Sequence, residues 1–366
     1  MRFRDLERQY AAMKHEMDEA LIGVASSGAY IMAPQIVELE KKLADYVGVR
    51  HCVSCANGTD AIYMALLALE IGSGDAVFVP DFTFFATAEA VARTGATPVF
   101  VDVKSSTFNI DSSDFEEKIC SVERRGGLRP KAVIAVDLFG LPAEYDMIRD
   151  ICTKYNLRLV EDAAQGFGGA IGSKKACSFG DIGTTSFFPA KPLGCYGDGG
   201  AMFTDDDKIA QLLRSLREHG KGENKYDNVR IGLNSRLDSI QAAILLVKLR
   251  HFDKELTAVN HVADCYNSLL RGKATIPQIQ PPFTSSWAQY TLVLEDRDSV
   301  RSRLHDAGIP TAVYYPRTMS RQKAFEPYKH LQQPCIVAES IVNNVLSLPM
   351  HPYLTDDEIE KIASLV

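Results

Sequence analysis

The chain has 366 residues, 46% hydrophobic and 24% charged, a composition ordinary for a soluble globular protein and sufficient for two domains with sizeable cores. Its net charge of -7 excludes a broad basic surface for nucleic acid and leaves room only for a local basic pocket. Met1-Arg-Phe-Arg-Asp-Leu-Glu-Arg lacks the apolar core of a signal peptide, and the longest candidate membrane stretch, 240–249, is short and interrupted by Lys248.

In chain order, residues 6–24 read as an amphipathic helix, and Ala33-Pro34 opens a second helix through Val37, Leu39, Leu43 and Val47. His51-Cys-Val-Ser-Cys-Ala56 is strand-like. Cys52 and Cys55 have C-x-x-C spacing, but no second pair completes a zinc site, so they read as buried small residues and no metal is expected. Free thiols without a signal peptide point to the cytoplasm. A helix follows Asn57-Gly58, with apolar Ile62, Met64, Ala65, Leu67 and Leu69. Strands are predicted at 76–80, 97–102, 132–136 and 157–161, with helices over 85–93 and 145–155. Continuous apolar strands alternating with helices predict an α/β fold, a mostly parallel sheet covered on both faces. Ligands of such sheets bind outside the carboxyl ends of the strands, where Asp81, Asp137 and Glu161-Asp162 fall. A long helix is predicted from about Ser235, through Leu237, Ile240, Ile244 and Val247, leading out of the first domain. From about residue 250 the chain reads as a smaller α+β domain. It has strands at 290–294 and 345–348, a helix over 299–307 and a surface loop over 277–286 containing Pro281-Pro282.

Chemistry concentrates after a strand-like stretch ending in Thr185-Ser186. Lys191 sits there between Phe187-Phe-Pro189 and Pro192-Leu-Gly194, a setting that argues against a loose surface lysine. Burial beside a cofactor would lower its pKa and make imine formation workable. Asp162 follows a buried strand, where an acid serves either as a helix N-cap or as the carboxylate that keeps a pyridine nitrogen protonated. Gln165 caps the same helix or reaches the ring's phenolic oxygen. Asn57-Gly58-Thr59-Asp60 opens a helix whose free amides suit a phosphate, and Ser186 adds a hydroxyl. Phe84 offers a ring for stacking. Together these are the parts of a pyridoxal 5′-phosphate (PLP) site.

The chain resembles the PLP-dependent sugar-nucleotide aminotransferases of the DegT/StrS family, part of the fold-type I aminotransferases. The resemblance runs over essentially the whole length. Its segments are Ser54-Cys-Ala-Asn-Gly-Thr-Asp60, Pro80-Asp-Phe-Thr-Phe-Phe-Ala-Thr87, Glu161-Asp-Ala-Ala-Gln165, Ser186-Phe-Phe-Pro-Ala-Lys191 and Gly232-Leu-Asn-Ser-Arg-Leu-Asp238. It implies a large domain, 1–249, with a mostly parallel seven-stranded sheet between helices, and a small α+β domain, 250–366. It implies Lys191 as the Schiff-base lysine, Asp162 as the ring-nitrogen partner and Gln165 beside the phenolate. Gly58, Thr59 and Ser186 would meet the phosphate, with Phe84 on the ring. Asn234 would reach the phosphate of the other subunit's cofactor, making a homodimer with shared active sites. The implied partners are L-glutamate as amino donor and a nucleotide-linked keto sugar as acceptor. Lys221, Arg230, Arg236, Tyr315 and His351 fall in substrate-side segments.

Phe188-Pro-Ala-Lys-Pro-Leu-Gly194 with Gly197-Asp-Gly-Gly200 resembles the branch that aminates C3, in particular enzymes acting on UDP-linked 3-keto-N-acetylglucosaminuronic acid; C4 amination is the alternative. Members that replace the lysine with histidine catalyse dehydration instead, and this chain keeps Lys191. Two positions depart from the common pattern. Ala33 stands before Pro34 where glycine is common, and Asp137 stands where many relatives carry histidine, either to hold the sugar or to cap the next turn. A rival reading is a non-catalytic PLP-binding regulator on the same fold, although no DNA-binding motif or basic helix is present.

Overall fold

The computed structural model describes residues 1–224 and 226–366. Two N-terminal helices, α1 (Leu6–Ser27) and α2 (Pro34–Val47), precede the sheet. The Asp5 side chain accepts from Arg8 N to start α1, and Pro34 occupies the first turn of α2, where its missing N–H costs nothing. The alternating region then runs β1 (His51–Cys55), α3 (Gly58–Ala68), β2 (Asp75–Pro80), α4 (Phe85–Arg93), β3 (Thr97–Val101), α5 (Ser112–Arg125), β4 (Arg129–Val136), α6 (Tyr145–Tyr155) and β5 (Arg158–Asp162). It continues through β6 (Ala170–Ile171), β7 (Lys174–Lys175), β8 (Ile182–Ser186), β9 (Gly200–Thr204) and α7 (Asp207–Leu216).

Seven strands form one sheet in the order β1-β9-β8-β5-β4-β2-β3. β9 alone runs antiparallel to its neighbours, pairing Phe203 with Cys52 on one side and with Gly183 on the other. The remaining pairs are parallel. Central strands such as β2, buried at every residue, read as unbroken apolar runs because helices cover both faces. One core lies between the sheet and α3, α4 and α7, through Leu66, Val79, Ile134 and Leu213. On the opposite face, Phe78, Phe115, Ile148 and Leu159 pack α5 and α6.

The long helix α8 (Ser239–Leu270) begins four residues later than its apolar pattern predicts and is continuous for 32 residues. Leu237 is buried just ahead of it, and residues 249 and 250 lie within it. It packs against α1 and α2, then carries the chain to β10 (Phe283–Thr284), β11 (Tyr290–Val293), α9 (Arg297–Asp306), α10 (Ile336–Ile341), β12 (Val345–Leu348) and α11 (Asp356–Ala363). β11 and β12 pair antiparallel over a separate core containing Tyr266, Tyr290, Leu304 and Ile359.

The 277–286 loop is exposed at Pro281-Pro282, as expected of a surface loop, but its end is built into the fold. Phe283 and Thr284 pair with Ile171 and Ala170 of β6, and Ser285 and Ser286 are buried. Ser286 Oγ donates to the carbonyl of Gln165 at 2.7 Å, so this loop braces the strand ends. Proline content alone carries no trace of that pairing.

Candidate active site

A cavity of about 430 Å³ opens at the carboxyl ends of the parallel strands. Its wall contains Gly58, Thr59, Phe84, Asp162, Gln165, Ser186 and Lys191, with Tyr315 from the smaller C-terminal part of the chain. Seven sequence-predicted cofactor residues, from four separate segments, therefore meet in one chain.

Lys191 lies in the turn after β8, with its N–H donating to Phe188 O at 2.8 Å. Burial pulls its amine down to about 8; the Asp162 carboxylate opposes that shift, and the Arg4 guanidinium adds to it. Asp162 ends β5 and is buried. Burial pushes its pKa up, while hydrogen bonds from Thr87 Oγ1 at 2.8 Å and Ala164 N at 3.2 Å, together with the charge of Lys191, hold it down. A buried carboxylate whose partners are a hydroxyl and an amide gains from a protonated ring nitrogen placed before it.

At the opposite end of the cavity, Asn57 Oδ1 accepts from Asp60 N at 2.8 Å and starts α3. The amides of Gly58 and Thr59 are first-turn donors with no intrahelical acceptor. A Cβ on Gly58 would stand 2.6 Å from Ser186 Cβ, so glycine lets the helix start close on the end of β8. Ser186 Oγ accepts from Phe188 N at 3.2 Å. Amides, hydroxyl and helix dipole together form a phosphate seat. With a cation-seeking acid and a neutralisable amine also in the wall, the residues fit PLP. Asp162 would face the ring nitrogen, Lys191 the aldehyde carbon, and Gly58, Thr59 and Ser186 the phosphate.

Gln165 has fixed partners. Its Oε1 accepts from Phe139 N at 2.8 Å, and its Nε2 donates to Tyr315 Oη at 2.9 Å. It thereby ties the strand end to Tyr315, whose phenol is pushed above its usual range by burial. The Phe84 ring is half exposed and lies 6.2 Å from the Tyr315 ring.

Other predicted substrate residues lie elsewhere. Asp137 is fully buried, is absent from the cavity wall, and takes the capping alternative: its Oδ1 accepts from Ala143 N at 3.0 Å and Tyr145 Oη at 2.6 Å. Burial, then the nearby Glu161, pushes its pKa far up. His351 is buried behind Lys191 rather than in the cavity; burial lowers it to about 4, so its ring is neutral at working pH, with a nitrogen accepting from Tyr353 N at 3.3 Å. Lys221, Arg230 and Arg236 share a separate open cleft of about 810 Å³. Asn234 is exposed beside it and accepts from Arg236 at 2.6 Å. Within one chain these four do not reach the cavity.

Three residues escaped the sequence reading. Thr87 holds Asp162, and Gln289 lines the cavity with a buried Oε1 that has no partner. Arg4 donates to the carbonyl of Lys191 from the far N-terminus. Thr87 stands in a quoted motif, one helical turn after Thr83; the other two carry no local signal. Among the described residues, one trio offers close metal-ligand atoms, His261, Cys265 and Asp356, which stand outside the cavity.

The profile of the DegT/DnrJ/EryC1/StrS aminotransferase family matches residues 11–366. The chain belongs to this family. It is 44% identical over 363 residues to a UDP-2-acetamido-2-deoxy-3-oxo-D-glucuronate aminotransferase of Pseudomonas aeruginosa, covering 99% of this chain and 98% of the relative. A UDP-N-acetyl-3-dehydro-alpha-D-glucosamine 3-aminotransferase of Acidithiobacillus ferrooxidans is 40% identical, with 99% and 96% covered. Among solved structures, a DegT/DnrJ/EryC1/StrS aminotransferase from Brucella abortus superposes with a TM-score of 0.98 at 48% identity, covering 100% of this chain and 98% of that one. NtdA of Bacillus subtilis, solved with PMP bound, gives 0.87 at 29% identity, with 96% and 81% covered. The DegT/DnrJ/EryC1/StrS member described here is thus a PLP-dependent aminotransferase with the fold-type I architecture expected from its sequence.

Proposed function

We propose that the protein transfers the amino group of L-glutamate to C3 of a UDP-linked keto sugar of the 3-oxo-glucuronate type, for cell-surface polysaccharide synthesis. The observation carrying this reading is the full-length likeness to the Pseudomonas aeruginosa relative in a chain whose own Lys191 and Asp162 share one cavity.

When bound, PLP supplies an aldehyde that captures amines and a ring that spreads the charge left when a proton leaves the adjacent carbon. Lys191 Nζ, with its pKa near 8, is partly neutral at working pH and serves first as nucleophile. The free amine would then take the proton from the donor's α-carbon and hand it to the nearby C4′ carbon of the bound cofactor, and on the acceptor half would move a proton in the opposite sense. Asp162 would keep the ring nitrogen protonated. The α3 amides and Ser186 would hold the phosphate. Tyr315, fixed by Gln165, closes the cavity beside Phe84.

Asn234, Lys221, Arg230 and Arg236 are proposed to complete the site of a partner subunit in a homodimer, where the cations meet the nucleotide diphosphate. Residues 1–249 and 250–366 are taken as the large and small functional halves. The eight cysteines are all free, which supports a cytoplasmic setting, and no helix among the described residues is long and apolar enough to cross a membrane.

The test is a half-reaction screen. The enzyme is converted with glutamate to its pyridoxamine form and offered a panel of nucleotide keto sugars. Return of the starting absorbance with UDP-linked 3-keto sugars is expected. Return only with 4-keto sugars would move the reaction to C4, and no response to glutamate or to any sugar would favour the regulator reading.

A further inference from the structure

Behind Lys191, on the side away from the cofactor cavity, lies a second cavity of about 20 Å³, roughly the room of one water. Arg4, Gln9, Lys191, Glu255, His351 and Tyr353 line it. Arg4 is the cation of this group nearest the lysine main chain. Its Nη2 donates to Lys191 O at 3.1 Å, and its Nη1 donates to Met350 O at 3.2 Å and Ala288 O at 3.5 Å. One planar guanidinium thus joins three chain segments: the turn after β8, the approach to β11 and the exit from β12. Its fixed fork of donors suits that span, which a single ammonium does not reproduce.

We propose that Arg4 is a positioning residue for Lys191, fixing the lysine's main chain against the Ala288 and Met350 segments and standing as a positive charge behind its amine. The hydrogen-bond partners of Arg4 are carbonyls, and among the described residues it forms no ion pair; Glu255 across the small cavity offsets part of its charge without touching it. Glu255, the acid facing it, is itself engaged: Gln9 Nε2 donates to it at 3.0 Å and Tyr353 Oη at 2.6 Å. The other groups facing Arg4 are Asp5 at the start of α1, Lys248 of α8, Tyr314, and His351, whose ring is neutral. Burial lowers Arg4 to about 10, which leaves it charged at neutral pH. Lys191 faces Asp162 on the cofactor side and Arg4 behind; the acid favours its protonated form and the guanidinium its neutral form. Arg4 therefore tilts the amine toward the form that reacts.

The inference rests on Lys191 being the reactive lysine, and borohydride reduction of the wild-type holoenzyme followed by peptide mapping checks that separately. The test itself uses the cofactor-free protein. The pH dependence of Lys191 labelling by acetic anhydride is followed by mass spectrometry in wild type, Arg4→Gln and Arg4→Lys, beside thermal melts and PLP affinity. Neither PLP nor sugar takes part in the labelling, so an incorrect sugar assignment leaves the result intact. The labelling midpoint is expected to rise by roughly half a unit in Arg4→Gln. In Arg4→Lys it should stay near wild type while PLP binds several-fold more weakly, because the charge is kept and the three-carbonyl grip is lost. A folded Arg4→Gln protein with an unchanged midpoint overturns the electrostatic role. An Arg4→Lys protein with wild-type PLP affinity overturns the positioning role. If Arg4→Gln fails to fold, Arg4→Lys still decides: wild-type PLP affinity, or a labelling midpoint that moves although the charge is kept, would overturn the proposal.

Discussion

The cavity at the strand ends and the cleft lined by Lys221, Arg230 and Arg236 differ in how much of a site one chain builds. The cavity is the more closed of the two, draws on both the sheet region and the C-terminal part, and gives its acid and helix start fixed partners. The cleft is open, its cations meet solvent, and Val229 and Ile231 beside them are exposed. Among the described residues the Arg230 side chain donates to Ser215 Oγ alone, and Lys221 lies 4.0 Å from Glu218. Chemistry needs pre-organised groups in a fixed frame. The contrast accords with the proposal that one region catalyses and the other is completed by a second subunit.

Substitutions can break this contrast, beginning with the largest effect. Lys191→Ala should lower kcat by about 10³–10⁴-fold, since nucleophile and proton carrier are lost together; near-normal turnover would remove Lys191 from the chemistry. Asp162→Asn should cost on the order of 10²-fold in kcat, because the ring nitrogen loses its charged partner. Gly58→Ala should weaken PLP binding about tenfold or more in an equilibrium titration, since the added Cβ stands 2.6 Å from Ser186 Cβ. Asn234→Ala should also lose activity, yet mixing it with Lys191→Ala should recover part of it if each site draws on both subunits; absence of recovery in verified mixed dimers would place Asn234 outside a shared site. Arg230→Ala should raise KM for the nucleotide sugar roughly tenfold with little change in kcat.

The pH dependence follows from the amine. Lys191 is held near 8, below its unfolded value, so folding with this group charged carries a penalty below about pH 8. That penalty fades as the folded amine loses its proton between about 8 and the unfolded lysine pKa of ~10.4. The rate at which cofactor-free protein captures PLP should accordingly rise with pH and level off above about 8.

Much of the cavity is legible in sequence because its parts sit in short local patterns: an acid after an apolar strand, Asn-Gly before a helix, and a lysine among prolines. The helices over 85–93 and 145–155 and the strand at 345–348 fall where periodicity places them. What the sequence hides is long-range. Arg4 and Lys191 are far apart in the chain, and Ser286 meets Gln165 through a loop that composition marks only as a linker. Asp137 shows a different limit: an acid at a strand end looks the same whether it faces a ligand or caps a turn, and only Tyr145 and Ala143 decide it. Leu237 has helical spacing yet precedes α8, because apolar periodicity reports a buried face and not the residue where the first turn closes.

Borohydride reduction of the PLP-loaded enzyme, followed by proteolysis and mass mapping, tests the central claim most directly. A single pyridoxyl adduct on Lys191, absent after pretreatment with glutamate, is the predicted result. An adduct on another lysine, or one unaffected by glutamate, would contradict the account.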